Sequence, residues 1–153
     1  MLFWRICRRR YAADAATGEG ARLYGGRWNS RGVPVVYAST SLALAALETF
    51  VNLEPNLRPP DLVFIEGELP DSIKVTRLDV KLLPPKWHAG RDEALRRFGD
   101  EWVRSAAGVA LLVPSAAIRG DWNLLLNPAH PDFAKVKFHD PQPFEFDVRM
   151  FRS

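Results

Sequence analysis

The chain has 153 residues, 47% of them hydrophobic and 25% charged, enough to bury one sizeable core and too few for two independent ones. A formal net charge of +3 and a pI near 9.3 suit an acidic ligand but fall short of the basic excess of a dedicated nucleic-acid binder. Cys7 is the sole cysteine, which excludes an intrachain disulfide. With no secretory leader pattern and no apolar run of about 18 residues, the expectation is a cytoplasmic protein that does not enter a membrane.

In chain order, Leu2 to Cys7 reads as a first strand, and Arg8-Arg9-Arg10 with the small and polar stretch Ala12 to Gly20 reads as solvated surface. After Gly32, the β-branched run Val33 to Ala38 predicts a buried strand with Tyr37 near its end. Thr40 or Ser41 caps a helix from Ser41 to about Leu53, which Glu54-Pro55-Asn56 and Pro59-Pro60 break. Helical periodicity groups Ala43, Leu44, Leu47, Phe50 and Val51 in one apolar arc and puts Glu48 at its edge, partly buried beside small residues.

Further on, Leu62 to Leu69 and Ile73 to Leu78 read as strands, Asp92 to Ser105 as a helix and Val109 to Val113 as a central strand. Trp87 and Trp102 are expected in the core or at its rim. Near the end, Ala134, Val136 and Phe138 alternate with polar residues, as do Phe144, Phe146, Val148 and Met150. That alternation predicts two half-buried strands in a terminal hairpin or meander. The whole is an α+β pattern in a single domain.

Several sharper motifs fail. Gly18-Glu19-Gly20 has Leu23 where a dinucleotide fingerprint needs its third glycine, and Gly20 to Gly25 is followed by Gly26-Arg27 instead of the Lys-Ser/Thr of a phosphate loop. His88, His130 and His139 lack companions at metal-ligand spacing, so no metal site is expected. Ser115, His130 and Asp132 have no nucleophile-elbow sequence around the serine, and His130 reads as a loop or capping residue. What remains is one block in which Arg27, Tyr37 and Glu48 fall at near-even intervals on successive short elements. A guanidinium pairs with phosphate or carboxylate, a phenol offers a flat face and a hydroxyl, and a carboxylate stabilises developing positive charge. The set suits a phosphorylated, cationic ligand. Each residue also has a structural use: Arg27 could pair with Glu48, Tyr37 could be a strand-end aromatic, and Ser39 could help cap the helix.

Six ordered blocks carry a resemblance. Phe3-Trp4-Arg5-Ile6, Gly25-Gly26-Arg27-Trp28-Asn29 with Gly32, Val36-Tyr37-Ala38-Ser39, Ala45-Ala46-Leu47-Glu48, Val113-Pro114-Ser115-Ala116 and Asn123 to Pro128 with His130-Pro131 strongly resemble the RES-domain family. The resemblance implies an ADP-ribosyltransferase-like fold of mixed or antiparallel sheets with flanking helices. It also implies a bacterial toxin that breaks the nicotinamide–ribose bond of NAD, with NAD as substrate and no bound cofactor. A helix-turn-helix antitoxin of the Xre type would cover the site, and the family allows a homodimer within a larger toxin–antitoxin complex, with no direct DNA binding by this chain. By the same resemblance Arg27, Tyr37 and Glu48 are the catalytic residues. Arg5, Gly26, Trp28, Ser39, Ser115 and Asn123 are supporting substrate contacts.

The chemistry is consistent with that assignment. Loss of nicotinamide passes through an oxocarbenium-like ribosyl centre that a carboxylate stabilises. Water, inorganic phosphate as a co-substrate, or a protein side chain could be the acceptor. Two other classes stay open on sequence: a basic RNA-binding or RNA-cleaving module, and an inactive relative that only binds a partner.

Overall fold

The computed structural model describes residues 1–55, 57–90 and 93–152. Strand β1 (Leu2–Arg8) runs into a 3-10 turn (Arg9–Asp14) and helix α1 (Glu19–Tyr24). Strand β2 (Val36–Ser39) leads directly into α2 (Leu42–Val51), followed by β3 (Leu62–Glu68) and β4 (Val75–Arg77). Short 3-10 turns at Val80–Leu82 and Trp87–Ala89 precede α3 (Glu93–Arg104), then come β5 (Ala110–Pro114) and β6 (Trp122–Leu126). The chain closes with two-residue strands β7 (Lys137–Phe138) and β8 (Gln142–Pro143), the 3-10 turn Pro131–Lys135 lying before them and Val148–Phe151 after.

The strands form one mixed sheet in the order β4-β5-β6-β2-β1-β3-β7, with β8 also beside β3. Among the described residues only β4 and β5 pair in parallel, and α3 lies in their connection, since a parallel pair needs a crossover longer than a hairpin turn. The α+β class read from the sequence is the observed one. Side-chain alternation then sorts the core onto two faces. Phe3, Val36, Ala38, Leu124 and Leu126 pack in one cluster, while Leu111, Val113 and Leu125 meet Trp28, Leu95 and Trp102 in the other.

The sheet is not uniformly knit. β1 pairs with β3 over every residue from Leu2 to Arg8, yet β1 and β2 share the single registered pair Trp4↔Ser39. Beside that pair, the Arg5 guanidinium donates to the Tyr37 carbonyl at 2.8 Å. A side chain there does what a ladder N–H does elsewhere, so the sheet is loosest where β1 leaves β2. Helix α2 packs on both strands and spans this weak join.

Three expectations need correction, and one strand went unassigned. The stretch Ala12 to Gly20 is not plain surface: it holds half of a 3-10 turn and the start of α1, with Ala15 buried. On α2 the buried pair is Leu44 and Ala45, whereas Ala43 and Val51 are exposed, because the helix is turned so that Leu44 and Ala45 face the sheet. Asn123 to Leu126, to which no element was assigned, belongs to the inner strand β6. The terminal hairpin does not form. β7 and β8 each add to β3 instead of pairing with one another, and after Pro143 the chain turns its aromatics onto α2, with Phe146 5.8 Å edge-on from Phe50. Pro143 has no N–H for the ladder, and the next residue, Phe144, donates to Leu62 O at 3.0 Å before the chain leaves β3. Asp92, the expected helix start, and Asn56, part of the expected breaker, lie outside the described residues.

Candidate active site

Residues 25–29 build a tight turn at the edge of the second core face. Gly25, at φ 71°, closes α1 and donates to Ala21 O, a left-handed conformation that favours glycine. Gly26 then donates to Asn29 O at 3.0 Å, so Arg27 and Trp28 form the tip. A Cβ on Gly26 would lie 2.7 Å from the Tyr37 hydroxyl and 2.9 Å from Asn29 Oδ1. The position therefore has no room for a side chain, and the turn sits directly on Tyr37.

Tyr37 and Asn29 tie the turn to the sheet. The Tyr37 hydroxyl donates to Asn29 Oδ1 at 2.6 Å and accepts from the Trp28 N–H at 3.0 Å. Asn29, fully buried, donates in turn to the carbonyls of Ala21 and Val33. Sequence reading placed Asn29 in the block without giving it a role; its buried amide, with donors and acceptor both satisfied, makes it the hub. From the other side, Asp100 on α3 accepts from Ser30 N at 2.8 Å, and Gly99 lets α3 approach so closely that a Cβ there would stand 1.7 Å from the Trp28 carbonyl oxygen.

This framework aims Arg27 outward. Its Nη1 donates to Gly90 O at 2.6 Å and to Trp87 O at 3.3 Å, and no ion pair joins it to Glu48 among the described residues. Trp28 differs from its expected part as a substrate contact. Its ring is 2% exposed and packs on Phe98 and Trp87, so it anchors the turn in the core.

Glu48 is held separately. Ser41, not Thr40 or Ser39, caps α2 by accepting from Leu44 N at 3.0 Å. One turn after Leu44 the half-buried Glu48 presents Oε1 to two donors: Ser115 Oγ at 2.5 Å and Asn123 Nδ2 at 2.7 Å. Ser39 Oγ donates to Asn123 Oδ1 at 2.8 Å, and that bond fixes which way the amide faces. Ser115 is fully buried and its Oγ accepts from Ile118 N. Ser39, Ser115 and Asn123 thus converge on the carboxylate, and their polar atoms are spent in orienting it.

Arg5 stands at the join of β1 and β2. Its Nε is buried with no hydrogen-bond partner among the described residues. Burial pushes its guanidinium below its ordinary value, ahead of the opposing influence of Cys7. A buried cation with an unused donor is expensive unless an anion approaches it. His130 acts as a cap, its Nδ1 accepting from Asp132 N, and Ser115 is committed to Glu48, so these residues do not assemble a triad. Among the described residues no three His, Cys, Asp or Glu side chains cluster as a metal site would require, and no helix is long and apolar enough to cross a membrane.

The family model for the RES domain matches residues 2–147. The chain belongs to the RES domain family. This RES domain is 41% identical over 159 residues to the Prs ADP-ribosylating toxin of Sphingobium sp. strain YBL2, covering 99% of this chain and 97% of that protein. It is 36% identical over 152 residues to the Toxin Res of Yersinia enterocolitica, covering 98% and 99%, and 38% identical over 155 residues to the Toxin Res of Pseudomonas putida, covering 99% and 100%. Its fold is similar to a chain of the MbcT-MbcA toxin–antitoxin complex of M. tuberculosis, with a TM-score of 0.74 and 18% identity over 94% of this chain and 84% of that one. The last likeness is one of fold alone.

Proposed function

We propose that this RES domain is the toxin of a toxin–antitoxin pair and that it breaks the nicotinamide–ribose bond of NAD. The observation that carries the reading is the carboxylate of Glu48, fixed through Oε1 by Ser115 and Asn123, on a helix that spans the loosest join of the sheet. With Oε1 so held, Oε2 meets the ribosyl centre as positive charge develops there, which favours the transition state over the ground state. The C–N bond breaks with its electron pair passing to nicotinamide, which leaves as a neutral base and needs no general acid. Arg27 binds the pyrophosphate by charge-assisted bonds. Arg5 offers its unused Nε to a second substrate oxygen, and the ring of Tyr37 packs on the nicotinamide riboside, its hydroxyl already committed to the turn.

Water or inorganic phosphate takes the ribosyl group. The name of the Sphingobium relative favours a second fate, transfer of ADP-ribose to a protein. An Xre-type antitoxin covers the site, the toxin acts in the cytoplasm, and a homodimer forms within the larger complex. Purified chain incubated with NAD should release nicotinamide, and Glu48→Gln should abolish that release while melting like the parent protein. An undiminished rate in Glu48→Gln would sink the assignment.

A further inference from the structure

Helix α3 carries a carboxylate where its core-facing side would ordinarily take a hydrophobe. Asp100 is 6% exposed and is the only buried carboxylate residue among those described. It shares the buried side of the helix with Leu95, Gly99, Trp102 and Val103. A carboxylate taken out of water is expensive unless it is hydrogen-bonded, and a hydrophobe of similar volume is the cheaper filling where packing alone is at stake.

The carboxylate is spent on the Arg27 turn. Asp100 Oδ1 accepts from Ser30 N at 2.8 Å, a bond to an ionised acceptor and so of the stronger kind. One residue earlier, Gly99 lies against the Trp28 carbonyl with no room for a Cβ. Two successive residues of α3 therefore grip the chain just after Arg27, while Tyr37 and Asn29 hold it from the sheet. The acceptors of the Arg27 guanidinium, Trp87 O and Gly90 O, lie in the segment that precedes α3. The base of the turn and the seat of its arginine are thus both referred to this helix.

We infer that Asp100 is a positioning residue: by holding Ser30 N it fixes the 25–30 turn against α3 and so sets the aim of Arg27. The inference deepens the NAD reading and rests on Arg27 as the pyrophosphate contact. Asp100 itself touches no substrate. Because Arg27 would hold a part of NAD that does not react, misplacing it weakens ground state and transition state alike, and the loss shows in KM with kcat kept.

The test pairs NAD kinetics with amide hydrogen exchange on the full chain. Asp100→Ala should speed exchange at the Ser30 amide about tenfold or more and raise KM for NAD about tenfold, the scale of one lost charge-assisted bond, with kcat within about twofold of the parent. Asp100→Asn keeps an acceptor oxygen in place and should restore most of both. Ile73→Val trims the other core face; it should lower the melting temperature, as lost packing does, and leave KM and Ser30 exchange at the parent's values. A parental KM in Asp100→Ala overturns the inference, whether or not Ser30 exchanges faster. An equal rise of KM in Ile73→Val, or no recovery in Asp100→Asn, overturns it as well. A wild-type chain that releases no nicotinamide defeats the NAD reading instead; Ser30 exchange then decides alone, and a parental rate in Asp100→Ala overturns the grip on the turn.

Discussion

Asn123→Asp tests whether the amide is there to place Glu48. The substitution keeps shape and keeps an acceptor for the Ser39 hydroxyl, but it turns the 2.7 Å Nδ2–H to Oε1 bond into a meeting of two carboxyl groups. Two unit charges about 4 Å apart at an effective dielectric of ~20 repel by about 4 kcal/mol. Glu48 is only half-buried, so water screens about half of that, and the remaining ~2 kcal/mol still holds one carboxyl of the variant's pair above its ordinary value. The raised value belongs to the pair. At low pH the pair shares a proton, which supplies an O–H donor to Glu48 where the amide stood. As pH rises through the raised value, that proton is lost and both charges stand exposed to each other. Stability and turnover of the variant should therefore fall together with rising pH. Nicotinamide release and melting temperature, followed from about pH 5 to about pH 8, should show the variant losing on the order of a hundredfold in rate at neutral pH, the scale of a misplaced reacting group, and recovering part of it in acid. A variant with the parent's rate and pH profile would refute the positioning role of Asn123.

Three further outcomes follow from the packing. Gly26→Ala, whose Cβ would press on the Tyr37 hydroxyl at 2.7 Å, should cost about 1–3 kcal/mol in denaturant unfolding, as overpacking does, and should reduce NAD turnover more than stability. Gly99→Ala sets its Cβ against backbone 1.7 Å away at Trp28 O; α3 must shift, and a loss of more than about 2 kcal/mol should appear in the same measurement. Cys7 is pushed up by burial, with Arg5 opposing less strongly, so at about pH 8 less of it is thiolate than in an unperturbed cysteine. Iodoacetamide should label it more slowly in the native protein than in the unfolded chain.

Much of this organisation is legible in the chain, and the illegible parts have physical reasons. β2 and β3 read correctly because apolar runs rich in β-branched residues, set off by Gly32 and by Pro59-Pro60 and Pro70, leave few alternatives. Glu48's half-burial followed from helical phase alone. The apolar arc of α2 did not, since periodicity ranks residues by hydrophobicity while the sheet accepts Ala45 and leaves Val51 outside. β6 hid because its entry, Gly120-Asp121-Trp122-Asn123, looks like loop, although Asn123 is a strand residue that donates to Glu48. Terminal alternation misled because Phe146 and Phe151 find their partner in Phe50 on α2, a contact no local period records. For the site, sequence supplied the residue types in order. It could not show which of them are hydrogen-bonded to one another, as Ser39, Ser115, Asn123 and Asn29 are.

For Arg5, an energetic criterion separates the proposed substrate contact from a purely structural role. Its guanidinium bridges the weak join by one bond to Tyr37 O, while Nε is buried without a partner. A purely structural bridge would be cheaper as an apolar side chain, because replacing a poorly compensated buried charge by a hydrophobe of similar volume is commonly neutral or stabilising. Arg5→Met should accordingly melt at or above the parent's temperature, despite losing the Tyr37 bond. NAD turnover should fall at least about tenfold, as when a charge-assisted substrate bond is removed, and chiefly through KM, since the bond forms with the ground state as well as the transition state. Melting curves and initial-rate kinetics on one preparation separate the two effects. A variant that unfolds readily but keeps its KM would make Arg5 a structural pin of the β1–β2 join and return the unused Nε to the folding problem.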